Sequence, residues 1–230
     1  MISIIIPVLN EEENISKLIP YLKDQYPPET VEIIVVDGGS TDMSVKQVRM
    51  LGAKVINSAI AGRAAQMNCG ASAACYEILY FIHSDAIPPE TFYTDIVGAV
   101  SSGYAIGRYR TRFDGGSRWL AINAFFTRFD WFVCYGGDQT MFITKPLFQK
   151  INGFNKQMVV MEDYDLVKRA RKYSPYKIFK GTTLVSTRKY RNNSWLRVQY
   201  ANLKVIIMNI LGASQGQMLR AYRKVLHSVR

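Results

Sequence analysis

Three short apolar runs, each ending in polar residues, constrain the fold of this chain more than any other feature of its sequence. The runs, each with the polar residues that follow it, are Ile2 to Val8 before Asn10-Glu11, Val31 to Val36 before Asp37, and Glu77 to Ile82 before His83-Ser84-Asp85. Each run is continuous rather than alternating and is rich in β-branched residues. Such runs are typical of parallel strands that helices cover on both faces.

Helix-compatible stretches separate these runs. They are Glu12 to Gln25, Asp42 to Leu51 and Gly62 to Cys75, and Ala53 to Ile56 reads as an extra strand. The alternation predicts an α/β protein built on a single mixed, mostly parallel sheet flanked by helices. Ligands of such sheets bind at the carboxyl ends of the strands, where Asn10, Glu11, Asp37 and Asp85 fall. One acid at a strand end is commonly a cap or turn former, but several at one edge favour a site.

The second half of the chain has a less regular pattern. Its predicted strands are Tyr104 to Phe113 and Asp138 to Thr144, and its predicted helices are Ser117 to Phe129 and Glu162 to Tyr173. Acids crowd the first turn of the last helix and cations its last turn, which matches the helix dipole. We expect one domain over residues 1–194. We expect residues 195–230 to form a basic helical extension.

The charges of the chain are strongly asymmetric. All 18 acids lie at or before Asp165, where 14 Lys and Arg residues accompany them, and residues 166–230 carry the other 15 cations and no acid. The second segment therefore has a net charge of +15 and predicts an anionic partner, for which a membrane face, a phosphorylated substrate and nucleic acid are the alternatives. No helix-turn-helix, zinc-finger or aromatic RNA-binding pattern accompanies the charge, so we expect no nucleic acid.

The cysteines and the N-terminus indicate the compartment. Three cysteines, Cys69, Cys75 and Cys134, make an odd number without histidines at ligand spacing, so they favour reduced buried thiols over a disulfide framework or a zinc site. The chain starts directly in its first apolar run, without a basic leader. We expect a cytoplasmic protein, peripheral at the inner face of the cell membrane if the basic segment binds lipid.

Small residues follow the second apolar run. Gly38-Gly39-Ser40-Thr41-Asp42 permits a tight turn in which backbone N–H groups approach a ligand closely. The first run lacks the Gly-x-Gly-x-x-Gly pattern and the chain lacks a Gly-Lys-Ser/Thr loop, so the common dinucleotide and P-loop sites are disfavoured. If the ligand is a nucleotide, it must therefore be held in another way.

The segments Ser3 to Glu12 (SIIIPVLNEE) and Ile33 to Asp42 (IIVVDGGSTD) resemble the opening of family 2 glycosyltransferases. Gly62-Arg63-Ala-Ala-Gln66-Met67-Asn68 and His83-Ser84-Asp85 extend the resemblance, which covers nearly the whole chain. Within that family, the chain is similar to the small bacterial subgroup associated with radical-SAM and selenodomain proteins. The resemblance implies a GT-A fold and an inverting, metal-dependent transfer of a sugar from a nucleotide diphosphate. It also implies that residues 1–194 are the catalytic domain, with a nucleotide-binding half of about residues 1–90 and an acceptor-side half of about residues 91–194.

The resemblance also implies which residues bind the donor. The Pro-x-x-Asn-Glu turn and the acid after the second strand would hold the nucleoside, which here means Pro7, Val8, Asn10, Glu11 and Asp37. Most relatives have a second acid where this chain has Gly38, which leaves the donor open between UDP- and GDP-sugars. Arg63 would bind the diphosphate through its guanidinium, and Asn68 would contact the nucleoside. The alternative for Arg63 is an arginine at the surface without a ligand, and the alternative for Asn68 is an asparagine with a structural role in a helix.

His83-Ser84-Asp85 occupies the place of the Asp-x-Asp motif of the family. The resemblance implies that Asp85 binds a divalent cation, Mg²⁺ or Mn²⁺, which suits one carboxylate completed by phosphate oxygens and waters. His83 replaces the first acid of the motif and is assigned, with Ser84, only to the donor pocket, since a lone histidine at a strand end is more often structural.

Met161-Glu162-Asp163-Tyr164-Asp165 resembles the Glu-Asp motif that supplies the catalytic base. Inversion needs a carboxylate that takes the proton of the acceptor hydroxyl, and we assign that role to Asp163. Acids at this position also commonly stabilise a helix N-terminus, which is the alternative. Gly137, Asp138, Gln139 and Glu162 are expected on the acceptor side.

The C-terminal extension holds an apolar stretch from Leu203 to Leu211, which Lys204 and Asn209 interrupt, so it is too short and too polar to span a bilayer. Met218, Tyr222, Val225 and Val229 then recur at helical spacing among cations. This pattern fits a helix packed on the domain and, equally, a basic amphipathic helix on anionic lipid.

Two other functions fit an α/β chain of this kind. A sugar nucleotidyltransferase would carry a Gly-rich, Arg-containing loop after the first strand, which Pro7-Val-Leu-Asn-Glu-Glu is not. A non-catalytic nucleotide-sugar-binding protein would lose the metal ligand or the base, yet Asp85 and Asp163 are both present. The acceptor stays undefined at this stage.

Overall fold

The structure is a computed structural model that describes residues 1–27, 29–60, 62–115, 117–135 and 139–226. A mixed sheet of eight strands runs through these residues. The strands are β1 (Ile2–Val8), β2 (Val31–Asp37), β3 (Lys54–Asn57), β4 (Ile78–Phe81), β5 (Ala86–Ile87), β6 (Ile106–Asp114), β7 (Met141–Thr144) and β8 (Tyr176–Ser186).

Helices flank this sheet. They are α1 (Glu12–Lys23), α2 (Ser44–Met50), α3 (Arg63–Ala73), α4 (Phe92–Ser101), α5 (Arg118–Phe126), α6 (Lys145–Lys150), α7 (Glu162–Ala170), α8 (Arg188–Arg191), α9 (Trp195–Ile210) and α10 (Gln215–Val225), with a short 3₁₀ turn at Phe132–Cys134. The helices and the sheet give the α/β class that the sequence predicts.

The strand order is β3-β2-β1-β4-β7-β6-β8-β5. Strands β1 to β4 pair in parallel, and so do β6 and β8, whereas β7 is antiparallel to both of its neighbours and β5 is antiparallel to β8. The predicted single, mixed and mostly parallel sheet is therefore confirmed. Because β7 starts where β4 ends (Phe81 pairs with Met141), residues just before β7 lie at the carboxyl edge of the parallel strands.

Both faces of the central strands are buried. Ile4 and Ile6 of β1 belong to one hydrophobic layer and Ile5 to the other, which explains why the run is continuous rather than alternating. Helix α1 covers the first layer with residues at helical spacing, Ile15, Leu18, Ile19 and Leu22. Helix α3 covers the second layer with small residues and Met67.

The elements predicted in the first half are observed within a few residues of their expected bounds. In the second half, the helix expected to reach Phe129 ends at Phe126. The Thr127 hydroxyl explains this end, because it donates to the Ala124 carbonyl at 2.7 Å and accepts from the Thr111 N–H at 3.0 Å. The strand expected from Asp138 begins at Met141, and Asp138 itself lies outside the described residues.

Strand β8 was not predicted, although it is the longest in the sheet at 11 residues. It pairs in parallel with β6, and the register shifts where Tyr109 pairs with Phe179 and Arg110 with Thr182, so Lys180 and Gly181 form a bulge. Lysines, threonines and this bulge hide the apolar pattern of the strand. The pairing with a distant strand, rather than local composition, selects the extended conformation.

The C-terminal extension folds as two helices, α9 and α10, that pack on each other. Tyr222 and Val225 of α10 contact a small cluster that includes Val198 and Ala201 of α9. The apolar side of α10 is thus used in packing, as one of the two alternatives for this helix predicts, and Val229 lies outside the described residues. Across the described ranges, every helix is too short or too polar to cross a bilayer.

Candidate active site

A cleft of about 690 Å³ opens at the carboxyl edge of the parallel strands. Four of the residues predicted to bind the donor line it together: Asn10, Glu11, Ser84 and Asp85. The ends of β1 and β2 come side by side there, since Val8 pairs with Asp37. The cleft therefore lies where the polar ends of the apolar runs were expected to meet.

Asn10 joins the loops that follow β1 and β2. Its backbone adopts a left-handed conformation (φ 54°), which asparagine tolerates better than most residues. The Asn10 side-chain oxygen accepts from the Thr41 N–H at 2.8 Å, and the Asn10 N–H donates to the Ser40 hydroxyl at 2.9 Å. These bonds fix the wall of the cleft before any ligand binds.

Asp37 is buried in its own turn, with 6% of its surface exposed. Its carboxylate accepts from the N–H groups of Gly39 at 3.0 Å and Ser40 at 3.1 Å. Glycine suits position 39 because the backbone there has φ +98°. The turn is thus built by Asp37, and the expected contact of Asp37 with a nucleoside stays a prediction.

Gln66 of α3 has a role that sequence reasoning missed. Its buried side-chain amide donates to the Val8 carbonyl at 2.9 Å and to the Val36 carbonyl at 2.8 Å, so it ties the ends of β1 and β2 together. A Cβ on Gly38 would lie 2.9 Å from the Gln66 amide nitrogen. The small residue at position 38 thus makes room for Gln66. The Val8 side chain, predicted for the donor pocket, is buried in the hydrophobic core.

Asp85 follows β4 through a turn in which the Ala86 N–H donates to the His83 carbonyl at 3.0 Å. Its carbonyl accepts from the Ser186 N–H at 3.1 Å, which anchors it to the end of β8. About 29% of the Asp85 side chain is exposed to the cleft. The carboxylate is thus held on a rigid turn and remains accessible.

Arg188, at the start of α8, is the second residue that sequence reasoning missed. Its guanidinium binds both oxygens of Glu11, at 2.7 and 2.9 Å, and its Nη2 atom lies 3.8 Å from Asp85 Oδ2. The hydrogen bonds with Glu11 raise the pKa of Arg188. This cation therefore lies between two carboxylates assigned to the donor site. An arginine within a long basic segment gives no sequence signal for this position.

Asp42 adds another carboxylate to the cleft. Burial raises its pKa, but hydrogen bonds from Ser44 and from the Glu12 N–H outweigh that effect, so the pKa of Asp42 lies below its usual value. Asp42 therefore stays ionised at neutral pH.

Arg63 and Glu162 join helices α3 and α7. Arg63 begins α3 and Glu162 begins α7, and their side chains form an ion pair at 3.4 Å. Glu162 is almost fully buried, whereas 46% of the Arg63 side chain is exposed. Met161 precedes Glu162 with φ 63°, a conformation that is strained for methionine. The residue predicted for the diphosphate thus contacts the motif predicted for catalysis.

Asp163 lines a second, small cavity of about 10 Å³ together with Arg108, Tyr135, Gln139 and Tyr176. Asp163 and Gln139, both predicted to act on the acceptor side, are therefore brought together. Burial, then hydrogen bonding to Asp130 and its charge, raise the pKa of Tyr135 to about 12. The Tyr135 hydroxyl stays protonated and donates to Asp130 at 2.6 Å. Arg108 is buried and donates to the Thr127 carbonyl at 2.7 Å.

Other predicted residues are placed differently. Both polar atoms of the Asn68 side chain bind the backbone of Phe154, at 2.8 and 2.9 Å, which favours the alternative of a structural asparagine over a nucleoside contact. Asp165 forms a pair with Arg169 within α7, at 2.6 Å. Gly137 and Asp138, predicted for the acceptor side, lie outside the described residues.

The sequence model of glycosyl transferase family 2 matches residues 3–161, more than half of the chain. The chain belongs to this family. Glucosyl-3-phosphoglycerate synthase of Mycolicibacterium smegmatis is a family 2 relative, 29% identical over 100 residues, which make up 40% of this chain and 33% of that protein. The chain spans about a third of the length of the curated relatives it matches, with 30% to 35% covered in each.

Solved structures show the same fold. The mannosyltransferase PcManGT from Pyrobaculum calidifontis, in complex with GDP-Man and Mn²⁺, is similar with a TM-score of 0.73 and 17% identity over 97% of this chain and 69% of that one. Glucosyl-3-phosphoglycerate synthase from Mycobacterium tuberculosis, in complex with Mn²⁺, UDP and glucosyl-3-phosphoglycerate, has a TM-score of 0.65 and 19% identity over 92% of this chain and 79% of that one. The family 2 domain therefore has the GT-A fold.

The residues of this family 2 domain fit a divalent cation whose coordination is completed by phosphate oxygens and waters. The described residues contain no group of three or more histidine, cysteine or acidic side chains that could hold a metal alone. Asp85 offers one accessible carboxylate at the cleft, with Glu11 and Asp42 in the same lining. Mg²⁺ and Mn²⁺ accept such sites, in which phosphate oxygens and waters supply the other ligands.

Proposed function

We propose that the chain is an inverting glycosyltransferase that moves a sugar from a UDP- or GDP-sugar to an acceptor hydroxyl. In this proposal the donor occupies the 690 Å³ cleft, with Asn10, Glu11 and the turn of Asp37 around the nucleoside. Pro7, Val8, His83 and Ser84 complete the donor pocket. Asp85 holds Mg²⁺ or Mn²⁺, which when bound supplies positive charge beside the departing diphosphate.

The ion pair between Arg63 and Glu162 carries this proposal. It links the first turn of α3, whose Arg63 we assign to the donor diphosphate, to the first turn of α7, where Asp163 is the next residue. A diphosphate that binds Arg63 would therefore lie beside the motif that we assign to catalysis. A guanidinium half exposed to solvent is well suited to exchange a single carboxylate contact for phosphate oxygens.

Asp163 acts as the general base in the proposed reaction. The acceptor oxygen attacks C1 of the sugar, the bond from C1 to the phosphate oxygen breaks, and the nucleotide diphosphate leaves with the electron pair. Asp163 takes the proton of the acceptor hydroxyl as the new bond forms. Gln139 shares a cavity with Asp163 and is assigned, with Glu162, to the acceptor side. Buried Arg108 fixes the neighbouring backbone through Thr127 and Phe129.

The finer assignments rest on the sequence resemblance and the charge pattern. They are membership of the small bacterial subgroup associated with radical-SAM and selenodomain proteins, a cytoplasmic site of action, and contact of the basic C-terminal segment with the inner face of the cell membrane. The acceptor class follows from none of these. Glucosyl-3-phosphoglycerate synthase suggests a small phosphorylated acceptor as one compound to try.

A donor panel tests the function directly. Purified protein is mixed with UDP- and GDP-sugars in Mn²⁺, Mg²⁺ or EDTA, and thermal stabilisation and donor hydrolysis are measured. We expect one donor to stabilise the fold only with a divalent cation. Proton NMR of a transfer product then gives its anomeric configuration, which should be inverted relative to the donor. Retention of the anomeric configuration would reject Asp163 as the base of a single displacement. If no donor in the panel stabilised the fold, the proposed donor site would be rejected.

A further inference from the structure

A large apolar surface lies outside the cleft, on α5, the segment that follows it, and α9. We name it the α5–α9 face and define it by its exposed side chains. Those from α5 and the following segment are Trp119, Ile122, Phe125, Phe126 and Trp131. Those from α9 are Leu196, Tyr200, Leu203, Ile207 and Ile210. The proposed glycosyl transfer gives no role to this surface.

Helix α9 carries two apolar stripes. Val198, Ala201 and Val205 form the buried stripe. Val198 and Ala201 belong to the cluster on which α10 packs. The exposed stripe repeats at i, i+4, i+7, i+11 and i+14 from Leu196, which is also helical spacing. A surface helix normally has one such stripe. The second stripe therefore indicates that α9 contacts something besides the rest of this chain.

The aromatic side chains of α5 continue this surface. Trp119 stacks on Trp195, the first residue of α9, with ring centres 5.0 Å apart. Further along, Phe129 stacks on Trp131 at 4.6 Å, and Phe125 packs edge-on against Phe126 at 5.7 Å. These rings pack on each other while Trp119 and Trp131 remain more than half exposed. The α5–α9 face is therefore continuous across the two helices.

Cations surround the α5–α9 face. Arg118 and Arg128 belong to the α5 side, where the Arg128 guanidinium lies 3.9 Å from the centre of the Phe125 ring, and Arg197 and Lys204 belong to α9. The one acid in the segment after α5, Asp130, is paired with Arg171 at 2.8 Å. No acid follows Asp165 in the sequence, so α9 adds none. The rim of the face is therefore positively charged.

We infer that the α5–α9 face binds the surface of an anionic lipid bilayer, with its aromatic and aliphatic side chains in the interfacial region and its cations near the lipid phosphates. Trp and Tyr favour the membrane interface, and amphipathic helices with cationic rims lie in its plane. A second copy of the chain would bring rims of the same charge together, in a protein with net charge +11. Anionic lipid matches both the apolar face and its rim.

The face borders the cleft. Asp114 lines the cleft four residues before Arg118, and Arg191 lines it four residues before Trp195. Asn123 of α5 donates to the Tyr190 hydroxyl at 3.5 Å, which joins α5 to α8. Attachment through this face would therefore hold the opening of the cleft near the membrane. This inference does not depend on the identity of donor or acceptor.

Tryptophan fluorescence tests the inference with native probes, because Trp119, Trp131 and Trp195 are the three tryptophans of the chain and all lie on or beside the face. Vesicles of phosphatidylcholine, with or without 30% phosphatidylglycerol, are added at low and high salt. We expect a blue shift and quenching by brominated lipid with anionic vesicles, and a bound fraction that persists in part at high salt. No binding, or binding without a change in emission, would overturn the inference.

Variants separate this face from the basic helix α10. Leu203→Glu with Ile207→Glu should reduce binding to anionic vesicles at least tenfold, because it puts charge in the exposed stripe. Met50→Glu on α2 is the control, since Met50 is 62% exposed, against 55% for Leu203 and 47% for Ile207. A tenfold loss of binding in the variant Arg220→Gln with Arg223→Gln, together with unchanged binding of the stripe variant, would contradict the inference and place attachment on α10. If the protein formed dimers in solution and the stripe variant did not, the partner of the α5–α9 face would be a second copy of the chain rather than a bilayer. Donor hydrolysis without vesicles, measured in parallel, shows whether the proposed function fails separately.

Discussion

Arg188 and Glu11, which are 177 residues apart in the sequence, form a two-pronged ion pair with N–O distances of 2.7 and 2.9 Å. The pair closes one side of the cleft, because Glu11 belongs to the loop after β1 and Arg188 to the start of α8. The same guanidinium lies 3.8 Å from Asp85, the proposed metal ligand. The Arg188 guanidinium thus lies beside the position proposed for the divalent cation that binds together with the donor.

We expect Arg188→Gln to strengthen the binding of Mn²⁺ in the absence of nucleotide. The guanidinium repels a second cation at Asp85, and since half of its side chain is exposed, screening reduces the effect to about threefold to tenfold in affinity. Titration calorimetry with Mn²⁺ alone measures it. Arg191→Gln is the control, since Arg191 lines the same cleft and forms no ion pair with a described residue. Unchanged or weaker affinity in the Arg188 variant would show that it does not compete at Asp85.

Asp85→Ala should remove metal-dependent donor binding and leave the fold intact. The side chain is accessible at the cleft and the buried core does not depend on it, so circular dichroism should be unchanged. We expect the affinity for the donor in Mn²⁺ to fall by about 10²-fold, since the only protein carboxylate assigned to the cation is lost. Asp24→Ala, an exposed acid at the end of α1, is the control. Unchanged dependence on Mn²⁺ in the Asp85 variant would show that the metal ligand lies elsewhere.

Asp163→Asn should keep donor affinity nearly constant and reduce the transfer rate by at least about 10²-fold, because the amide keeps the shape of the side chain but cannot take a proton. Steady-state kinetics with the donor found in the panel measures both quantities. Asp165→Asn is a matched control in the same helical turn, since Asp165 pairs with Arg169 instead. Turnover near that of the unmodified enzyme in the Asp163 variant would return Asp163 to the role of stabilising the start of α7.

Gln66→Leu should destabilise the ends of β1 and β2. It removes two buried hydrogen bonds to the Val8 and Val36 carbonyls, which we expect to lower the free energy of unfolding by about 1–3 kcal/mol. Urea denaturation measures this change. In contrast, Gln149→Leu alters an exposed position on α6 and should change stability little. Equal stability of the two variants would mean that Gln66 does not tie the strand ends together.

The sequence predicts the parallel half of the sheet well because its information there is local. Continuous β-branched runs such as Ile2 to Val8 are typical of strands buried on both faces, and the polar residues after them mark the cleft. Strand β8 escapes this reasoning because its conformation depends on pairing with β6, about 70 residues earlier. Pairings between distant segments leave little trace in local composition.

The same limit applies to individual side chains in the site. Asn10, Glu11 and Asp85 follow apolar runs, so their position is readable from the sequence. Arg188 reaches the same cleft only because β8 ends beside Asp85, where the Ser186 N–H donates to the Asp85 carbonyl. Asn68 shows the opposite case, since the family pattern suggests a nucleoside contact, while its side chain binds the backbone of Phe154.

The pair of helices α9 and α10 also determines which part of the protein unfolds locally first. Among the described residues its own cluster buries three side chains, Val198, Ala201 and Leu226, while the two layers of the sheet bury many more. One polar link to the rest of the domain is Gln215, whose side chain accepts from the N–H groups of Val159 and Val160 at 3.0 and 3.1 Å. A unit with so small a core unfolds locally at lower free energy than the domain as a whole. In native-state hydrogen exchange, the amides of α9 and α10 should therefore exchange together and well before those of β1 and β2.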